Sequence, residues 1–458
     1  MSSTIDLIWE KIRNKVDDLI IYERSGTDYQ IKFSESEIDT SKTWDSHSID
    51  VFVAKDNKTT SVSLNPDNKR SFTNILNAML KILNKLSPNP LYKGINSKTF
   101  TYNPLDGVLD KKIDNFAEES SEIVNQSIDR CITSGAKRAA GIFFFGKETN
   151  SLKSSGGPEA SFTHTYWEFN IRGLQDDTDT TGFGQNAGAI PSNAEKDILQ
   201  AGGEAGNYSK KMKGAKMGAP GTYDVIFSPA TGGQVLAALP SMANPLEVLF
   251  GTSGLGDRMG EQLAPDFVSV SDEGPLPNAM FASIFDAEGI PTTKTYLFEK
   301  GILVNFIHNT SSAALYQGKT TGNSYLADFS GGSKLLVPAN HTRTFSGGTN
   351  SFSELLEKNN DNPLLYITNS WYLRYTNSLE GVFSVIPRDA MFLIEKNGDY
   401  RPVKKLRLSD NLYRIMKNIS AMEKDSERKQ VKWWDEVSPP VIISNIKVND
   451  CRLTAATK

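Results

Sequence analysis

Apolar runs that end in hairpin-type turns recur through the second half of this 458-residue chain. The segment TKTYLFEKGILVNFI places Lys300-Gly301 between two apolar runs, and Asn397-Gly398 separates another pair. Turns of this kind need backbone conformations that glycine and asparagine adopt readily, and they are typical of two-residue β-hairpin connections. We therefore predict that residues 218–458 form a mainly β domain.

In the first 105 residues, apolar side chains follow the spacing of helices in some segments and the alternation of strands in others. Apolar residues at helical spacing predict one amphipathic helix over residues 5–19, and apolar residues alternate with polar ones over 29–33 and 49–53, as they do in strands. A second helical pattern begins at Ser71. We therefore predict a module of helix, meander and helix over residues 1–105.

The middle of the chain has a mixed pattern. A helical stretch precedes the apolar strand GIFFFG, the loop KSSGGPEA and the strand ASFTHTYWEFNIRG. A stretch rich in Gly, Asp and Thr follows over residues 173–220, so we place a boundary near residue 218. The predicted fold class is α+β, with segments 1–105, 106–217 (a middle α/β segment) and 218–458.

The charge of the chain argues against a nucleic-acid partner. There are 50 Lys and Arg residues against 54 Asp and Glu, a formal net charge of −4, whereas phosphate binding needs a clustered excess of basic residues. The segment RKQVKWWDE mixes basic and aromatic residues, but Asp435-Glu436 adjoin them. We interpret Trp433 and Trp434 as anchors to the core or to a partner surface.

The two cysteines and the N-terminal sequence indicate in which cellular compartment the protein lies. Cys131 and Cys451 lie too far apart in sequence for a disulfide framework, and two thiols cannot form a four-thiolate zinc site, so we interpret them as a helical core thiol and a tail thiol. The N-terminus has no apolar signal region, and no window of about 18 apolar residues occurs. We expect a cytoplasmic protein that does not associate with membranes.

The histidine spacing argues against a local zinc motif. Of the four histidines, His47, His164, His308 and His341, the closest pair is 33 residues apart. A zincin-type site places two His on one helical turn beside a Glu that activates the metal-bound water. A site assembled from distant His and carboxylate residues stays open as an alternative.

Two Gly-containing segments lack a complete motif. In YQGKTTGN, a phosphate-binding loop would need Gly where Ala313 stands. In FGTSGLG, a nucleophile elbow around Ser253 would need Gly where Leu255 stands. Neither segment therefore predicts nucleotide binding or a serine nucleophile.

From about residue 220 onward the chain resembles the C-terminal domain of the TldD/PmbA family. The resemblance is carried by PGTYDVIFSP, by the run from DEGPLPN to GKTTGN with its D-x-E-G-x-P turn at 286–291, and by the run from WYLRYTN to LRLSDN with its hairpin before Pro402-Val403. These runs occur in the expected order and cover roughly half of the chain.

The resemblance implies a metal-free member of that family. In its catalytic branch, a His-Glu pair and a further His on the helix after the first of these runs, with a late Cys, form a zinc site. In this chain Ala237, Ala238 and Met242 stand at the motif positions, Pro240 would interrupt the helix, and no late Cys precedes Cys451. The resemblance implies a TldE/PmbA-like subunit without a cofactor, a zinc-bearing TldD-like partner, and unfolded peptides as substrates.

Six residues are candidates for lining a peptide cavity in such a subunit. They are His308, Asn323, Arg374, Asn377, Arg388 and Asp389. For the last four, an ion-pair or hydrogen-bond network with a structural role is the alternative interpretation.

Three functional hypotheses follow. The leading one is a non-catalytic subunit that encloses peptides together with a zinc-bearing chain. The alternatives are a peptidase in its own right with a dispersed site, and a ligand-binding or regulatory module. A homodimer is an alternative assembly.

Overall fold

The computed structural model describes residues 4–66, 71–177, 179–328, 333–357, 361–432 and 438–456. Helices and strands are both abundant in these ranges, and the strands form several sheets, so the predicted α+β fold is confirmed. Trp433 and Trp434 lie outside the described residues, so their interpretation as anchors stays a prediction.

The first half of the chain forms one antiparallel sheet that carries helices. The helices are α1 (Thr4–Ile12), α2 (Phe72–Lys85), α3 (Ile113–Ser134) and α4 (Glu195–Lys211). The strands are β1 (Asp18–Ser34), β2 (Glu37–Lys55), β3 (Lys58–Leu64), β4 (Arg138–Ser154), β5 (Glu159–Leu174) and β6 (Thr181–Gly188), in the spatial order β3-β2-β1-β4-β5-β6. One apolar core joins α1 and α2 to β1, β2 and β3, and a second joins α3 and α4 to β1, β4 and β5.

This sheet connects the two N-terminal segments that the sequence indicates. Strands β1 to β3 come from residues 1–105 and strands β4 to β6 from residues 106–217. β1 pairs with β4 from Ile20 opposite Ser154 to Phe33 opposite Gly141. The boundaries between the segments stay predictions.

The first helix is shorter than predicted. α1 ends at Ile12 and a 3₁₀ helix follows, whereas the apolar spacing predicts a helix over residues 5–19. Val16 has extended backbone, with φ −136° and ψ 158°, and Leu19 already pairs with Val53 in β1. The spacing continues across the junction because α1 and β1 bury side chains in the same core, so periodicity alone does not mark the helix end.

The second half contains short helices and many strands. The helices are α5 (Pro229–Val235), α6 (Ala238–Ser241), α7 (Pro245–Leu249), α8 (Thr310–Leu315), α9 (Phe352–Glu357) and α10 (Leu412–Lys417). The first strands are β7 (Lys216–Met217), β8 (Gly221–Phe227), β9 (Ser269–Glu273), β10 (Lys294–Glu299), β11 (Ile302–Leu303), β12 (Ser324–Asp328), β13 (Lys334–Pro338) and β14 (Thr342–Ser346). The later strands are β15 (Leu364–Asn377), β16 (Val382–Ile394), β17 (Tyr400–Lys404), β18 (Leu406–Asn411), β19 (Ile419–Met422), β20 (Lys429–Val431), β21 (Val441–Ile443) and β22 (Ile446–Ala455).

One sheet of this half closes on itself. Its order is β15-β8-β22-β18-β16-β17-β7, and β15 also pairs with β16, so β15, β8, β22, β18 and β16 form a ring that we call the closed sheet. A second sheet has the order β11-β10-β9-β14-β21-β20, and β12 pairs with β13. A large apolar core joins the closed sheet, the second sheet and helices α5, α6 and α10.

The predicted hairpin turns are present. Lys300 and Gly301, with φ 49° and 76°, connect β10 to β11. Gly398, with φ 84°, lies in the turn between β16 and β17. Positive φ at these positions explains why the sequence signal is local and strong.

Both cysteines are buried and free. Cys131 lies in α3 as predicted, but Cys451 lies inside β22 and not in a tail. The tail interpretation is wrong because the chain continues past Cys451 as a core strand that pairs with β8 and β18. Among the described residues, no helix is both long and apolar enough to cross a bilayer.

Candidate functional site

A cavity of about 1010 Å³ lies between the sheet of the first half and the closed sheet of the second half. One wall comes from β4, β5 and β6, and the other from α5, α6, β14 and the outer part of β15. A volume of this size is at the upper end of the range for small-molecule pockets. Because its walls come from distant parts of the chain, only tertiary packing forms this cavity.

The charged side chains of the described lining residues are all basic. They are Lys32, Arg172, Arg343 and Lys432, and no Asp or Glu is among the described residues that line the cavity. The chain as a whole has a formal net charge of −4, so the lining differs in sign from the molecule. A lining of one sign favours a ligand of the opposite sign, but Arg172 is already paired with the carboxylate of Asp389.

Arg343, on β14, is the buried cation of this wall. Its residue is 6% exposed, its Nη1 donates to the carbonyl oxygen of Ala237 at 2.7 Å and to Ser241 Oγ, and its Nη2 donates to the carbonyl oxygen of Pro439 at 3.4 Å. Its Nε has no hydrogen-bond partner among the described residues. Burial lowers the pKa of Arg343 to about 10, against the attraction of Asp272, so the guanidinium stays charged at neutral pH.

The three motif positions lie in this wall and in the core behind it. Ala238 lines the cavity, and Ala237 and Met242 are buried. The helical path breaks between α5, which ends at Val235, and α6, which contains Pro240. Proline lacks an amide N–H and crowds the preceding turn, which explains a break at this point.

The residues at this wall do not fit a zinc site. Two of the motif side chains are methyl groups and the third is a buried thioether. Within the described ranges, no three His, Cys, Asp or Glu side chains come together as a set of metal ligands. No chemical step is therefore assigned to a metal held by this chain.

Asp389 lies in a network of hydrogen bonds and one ion pair. Its carboxylate accepts hydrogen bonds from Arg172 Nε at 2.6 Å and Nη2 at 3.1 Å, from Thr181 Oγ1 at 2.9 Å, and from Asn369 Nδ2 at 2.7 Å. These contacts tie the β15–β16 hairpin to β5 and β6 of the other sheet. Asp389 thus holds the two cavity walls together, although it does not itself line the cavity.

Arg388 and Arg374 stack on exposed aromatic rings at the cavity. The Arg388 guanidinium lies 3.8 Å from the centroid of the Trp371 ring, which stacks on Tyr372 at 5.1 Å, and Arg374 lies 5.3 Å from the Tyr372 centroid. Trp371 and Tyr372 line the cavity, whereas the two arginines are not among its described lining residues. Asn377 lies at the hairpin tip, where its Oδ1 accepts from the amide of Glu380 at 3.1 Å.

His308 and Asn323 lie away from this cavity. Asn323 is buried, and its Nδ2 donates to Asp272 Oδ2 at 2.7 Å and to the carbonyl oxygen of Ala339 at 2.9 Å. His308 Nδ1 lies 3.2 Å from Ser312 Oγ, and burial lowers the pKa of its imidazole. The structure therefore does not bring the six sequence-based candidates together in one site.

Arg343 and Asn170 are the site residues that the sequence does not point to. Asn170, on β5, lines the cavity, is 4% exposed, and has no described partner for its Nδ2. The partner of Arg343 at Ala237 lies 106 residues earlier in the chain. A charged residue between two threonines in TRTF carries no local signal for such a contact, because only the tertiary fold creates it.

A smaller cavity of about 310 Å³ collects titratable groups. It is lined by residues that include Glu148, His164, Asp286 and His341. Neither ring nitrogen of the buried His164 has a described partner, and burial lowers its pKa. Asp286 accepts three backbone N–H groups, and burial together with the neighbouring Glu288 raises its pKa to about 8.

The second half of the chain is similar in sequence to a known protein family. Residues 220–450 match the family model described as the PmbA/TldA metallopeptidase C-terminal domain. A metalloprotease of Methanocaldococcus jannaschii is 27% identical over 225 residues, which are 49% of this chain and 48% of the relative. The chain thus spans about half the length of this curated relative, as it does of a metalloprotease of Methanothermobacter thermautotrophicus.

A solved structure matches over the whole chain. The crystal structure of TldE from Thermococcus kodakarensis superposes with a TM-score of 0.84 and 17% identity, covering 99% of this chain and 100% of that one. At this level of identity the likeness concerns the fold alone.

Proposed function

Because this chain belongs to the PmbA/TldD metallopeptidase family, we propose that it is a non-catalytic, metal-free subunit that encloses unfolded peptides together with a zinc-bearing, TldD-like partner. In this proposal the chain supplies walls and binding contacts, and the partner supplies the metal and its activated water. The matches to the two curated relatives cover about half the length of each relative, so the activity of the whole protein is part of the proposal.

One observation carries the proposal. The wall that contains Ala238 borders a cavity of about 1010 Å³, yet the positions that the resemblance links to zinc binding hold Ala237, Ala238 and Met242. Hydrolysis of an amide needs an activated nucleophile, and these side chains offer none. A large cavity without ligands at its motif positions supports a binding role and a catalytic partner.

Exposed apolar side chains support docking of a second chain. Leu249, Phe250, Met259 and Leu379 are each about half exposed, at 49%, 58%, 49% and 50%, and we call them the apolar rim. Gly254 packs against the main chain of Leu379, so the 249–259 segment and the tip of the β15–β16 hairpin are neighbours. Exposed apolar residues on neighbouring segments are typical of a protein interface.

The decisive experiment is a reconstitution assay with an unstructured peptide. Cleavage is measured with this chain alone, with the zinc-bearing partner alone, and with both. We expect cleavage only in the mixture, and loss of cleavage without loss of the complex when the partner's motif Glu is replaced by Gln. Equal rates with this chain alone and with the mixture, or full activity of the partner alone, would overturn the proposal.

The metal-free state of this chain has its own test. We expect elemental analysis of the purified chain to find much less than one zinc per chain after treatment with a mild chelator, because the motif positions Ala237, Ala238 and Met242 hold no ligand. About one zinc per chain that only strong chelators remove would contradict this expectation.

A dispersed peptidase site is the second candidate function. The smaller cavity favours it, because Glu148, His164 and Asp286 approach one space from distant parts of the chain. In that case the chain would cleave peptides alone, and Glu148→Gln or His164→Ala would abolish that cleavage while the fold, followed by circular dichroism, stays intact.

A further inference from the structure

Two residues that line the large cavity carry buried hydrogen-bond donors without described partners. They are Arg343 Nε and Asn170 Nδ2, on residues that are 6% and 4% exposed. A buried donor that is left without a partner costs about 1 to 3 kcal/mol. Two such donors in the lining of one cavity are therefore better explained by a ligand with acceptor atoms than by packing.

The free donors of Arg343 fit a carboxylate. Its Nη1 already donates to Ala237 and Ser241, whereas the contact of Nη2 with a described residue is the long one of 3.4 Å to the carbonyl oxygen of Pro439. Nε and the adjacent Nη2 form the side of a guanidinium that binds both oxygens of a carboxylate in parallel. The orientation of this side chain is fixed by its contacts with Ala237 and Ser241, so it loses little freedom when it binds.

Among the described residues, no carboxylate forms an ion pair with this side of Arg343. Asp272 faces Arg343 across β9 and β14, but its oxygens accept from Asn323 Nδ2 at 2.7 Å, Asn340 Nδ2 at 3.2 Å and the amide of His341 at 2.9 Å. The described ion pairs, within 4.0 Å, do not include Arg343 with Asp272. Asp272 thus attracts the charge of Arg343 without a direct contact, while Nε has no partner in the part of the chain that the structure describes.

The rest of the lining suits a peptide better than a compact anion. Asn170 and Arg172 are two residues apart on β5 and both line the cavity, as do the rings of Trp371 and Tyr372. An amide donor matches a peptide carbonyl oxygen, and an aromatic wall matches an apolar side chain. The lining therefore combines contacts for a charged group, for the main chain and for a side chain.

We propose that this cavity binds a carboxylate group of a peptide through Arg343, with Asn170 donating to a neighbouring peptide carbonyl. The carboxylate belongs either to the C-terminus or to an Asp or Glu side chain of the peptide. The inference rests on the proposed function as an enclosing subunit, and it adds that this subunit selects peptides by an acidic group.

The test compares matched peptides on the unmodified full chain and on its complex with the partner. Binding is measured by fluorescence anisotropy for one unstructured sequence with a free or an amidated C-terminus, each with Glu or Gln at one internal position. We expect removal of the recognised carboxylate to weaken binding at least tenfold. If the free C-terminus produces the difference, it is the recognised group; if the internal Glu does, the side chain is.

Variants then assign the effect to Arg343. Arg343→Lys keeps a charge and Arg343→Met removes it, and both are expected to reduce the preference for the acidic peptide, Arg343→Met the more strongly. Arg130→Met, which replaces an exposed arginine on α3 outside the described lining, is the matched control and is expected to keep the preference. Circular dichroism melting reports whether each variant is folded, and the peptide series on the unmodified chain does not depend on it.

The outcomes separate the two proposals. Equal affinity for all four peptides on the unmodified chain and complex would overturn carboxylate recognition and leave peptide enclosure standing. Failure of every peptide to bind either species would overturn the proposed function itself. A preference that persists in folded Arg343→Met would move the recognition away from Arg343 and overturn the assignment.

Discussion

Asp389 accepts four hydrogen bonds and lies between the two sheets, with a positive φ of 63°. Its replacement by Ala would leave Arg172 without its carboxylate and would remove a residue type that tolerates the left-handed backbone conformation better than Ala does. We expect Asp389→Ala to lower the free energy of unfolding by about 2 to 4 kcal/mol. Urea denaturation measures this, with the exposed Asp399→Ala as a control that should change little. A loss below about 0.5 kcal/mol would contradict the role of Asp389 in joining the sheets.

The buried carboxyl of Glu168 makes the stability of the fold depend on pH. It is buried on β5, and burial raises its pKa from 4.5 to about 7, against the opposing effects of Lys432 and Gln185. Because the pKa of Glu168 is higher in the folded chain than in the unfolded chain, the folded state holds an extra proton between about pH 4.5 and pH 7. The stability that comes from this proton is complete below about pH 4.5 and is lost as the pH rises through 7.

Glu168→Gln mimics the protonated carboxyl and should remove this loss. We expect the variant to lose less stability than the unmodified chain between pH 5 and pH 8, by roughly 1 to 3 kcal/mol. Chemical denaturation at both pH values gives the difference, and Glu118→Gln on the exposed face of α3 is the control. Identical pH profiles for the unmodified chain and Glu168→Gln would show that Glu168 does not titrate in this range.

At the scale of elements, the turns show how local sequence fixes a connection. Gly301 has a φ of 76°, and a Cβ there would overlap the carbonyl oxygen of Ala264, whereas Gly398 has a φ of 84° and open space around it. We expect Gly301→Ala to destabilise the fold by more than 2 kcal/mol and Gly398→Ala by about 1 kcal/mol. Thermal melting of the two variants distinguishes steric overlap from backbone strain alone. Equal losses would show that packing at Ala264 relaxes without cost.

These elements also show what the sequence can and cannot predict. The hairpin at Lys300-Gly301 is predictable because two residues with positive φ determine the turn. The turn at Asn397-Gly398 is longer, over residues 395–399, and Gly398 supplies its positive φ. The end of α1 is not, since helix and strand share a core and Val16 keeps the apolar spacing after the helix has ended. The contact between Arg343 and Ala237 depends on strands and helices that meet only in the folded chain, so no local pattern contains it.

At the scale of the whole molecule, the proposed complex with a zinc-bearing partner makes the apolar rim a docking surface. Phe250 and Leu379 are 58% and 50% exposed, and a polar replacement of an exposed side chain changes monomer stability by about 0.5 kcal/mol or less. The same replacement within an interface puts an uncompensated charge into a buried apolar contact. Stability and assembly should therefore respond differently to one change.

We expect Phe250→Glu and Leu379→Glu each to weaken the complex with the zinc-bearing partner at least tenfold while leaving the melting temperature of this chain unchanged. Light scattering after size-exclusion chromatography, over a range of concentrations, gives the affinity. Ile82→Glu, which alters a side chain that is 53% exposed on α2, is the matched control because α2 lies in the other half of the chain. Normal assembly of both rim variants would exclude the rim as the docking surface. Loss of self-association, with the heteromeric complex intact, would assign the rim to a homodimer and leave the partner to dock on another surface.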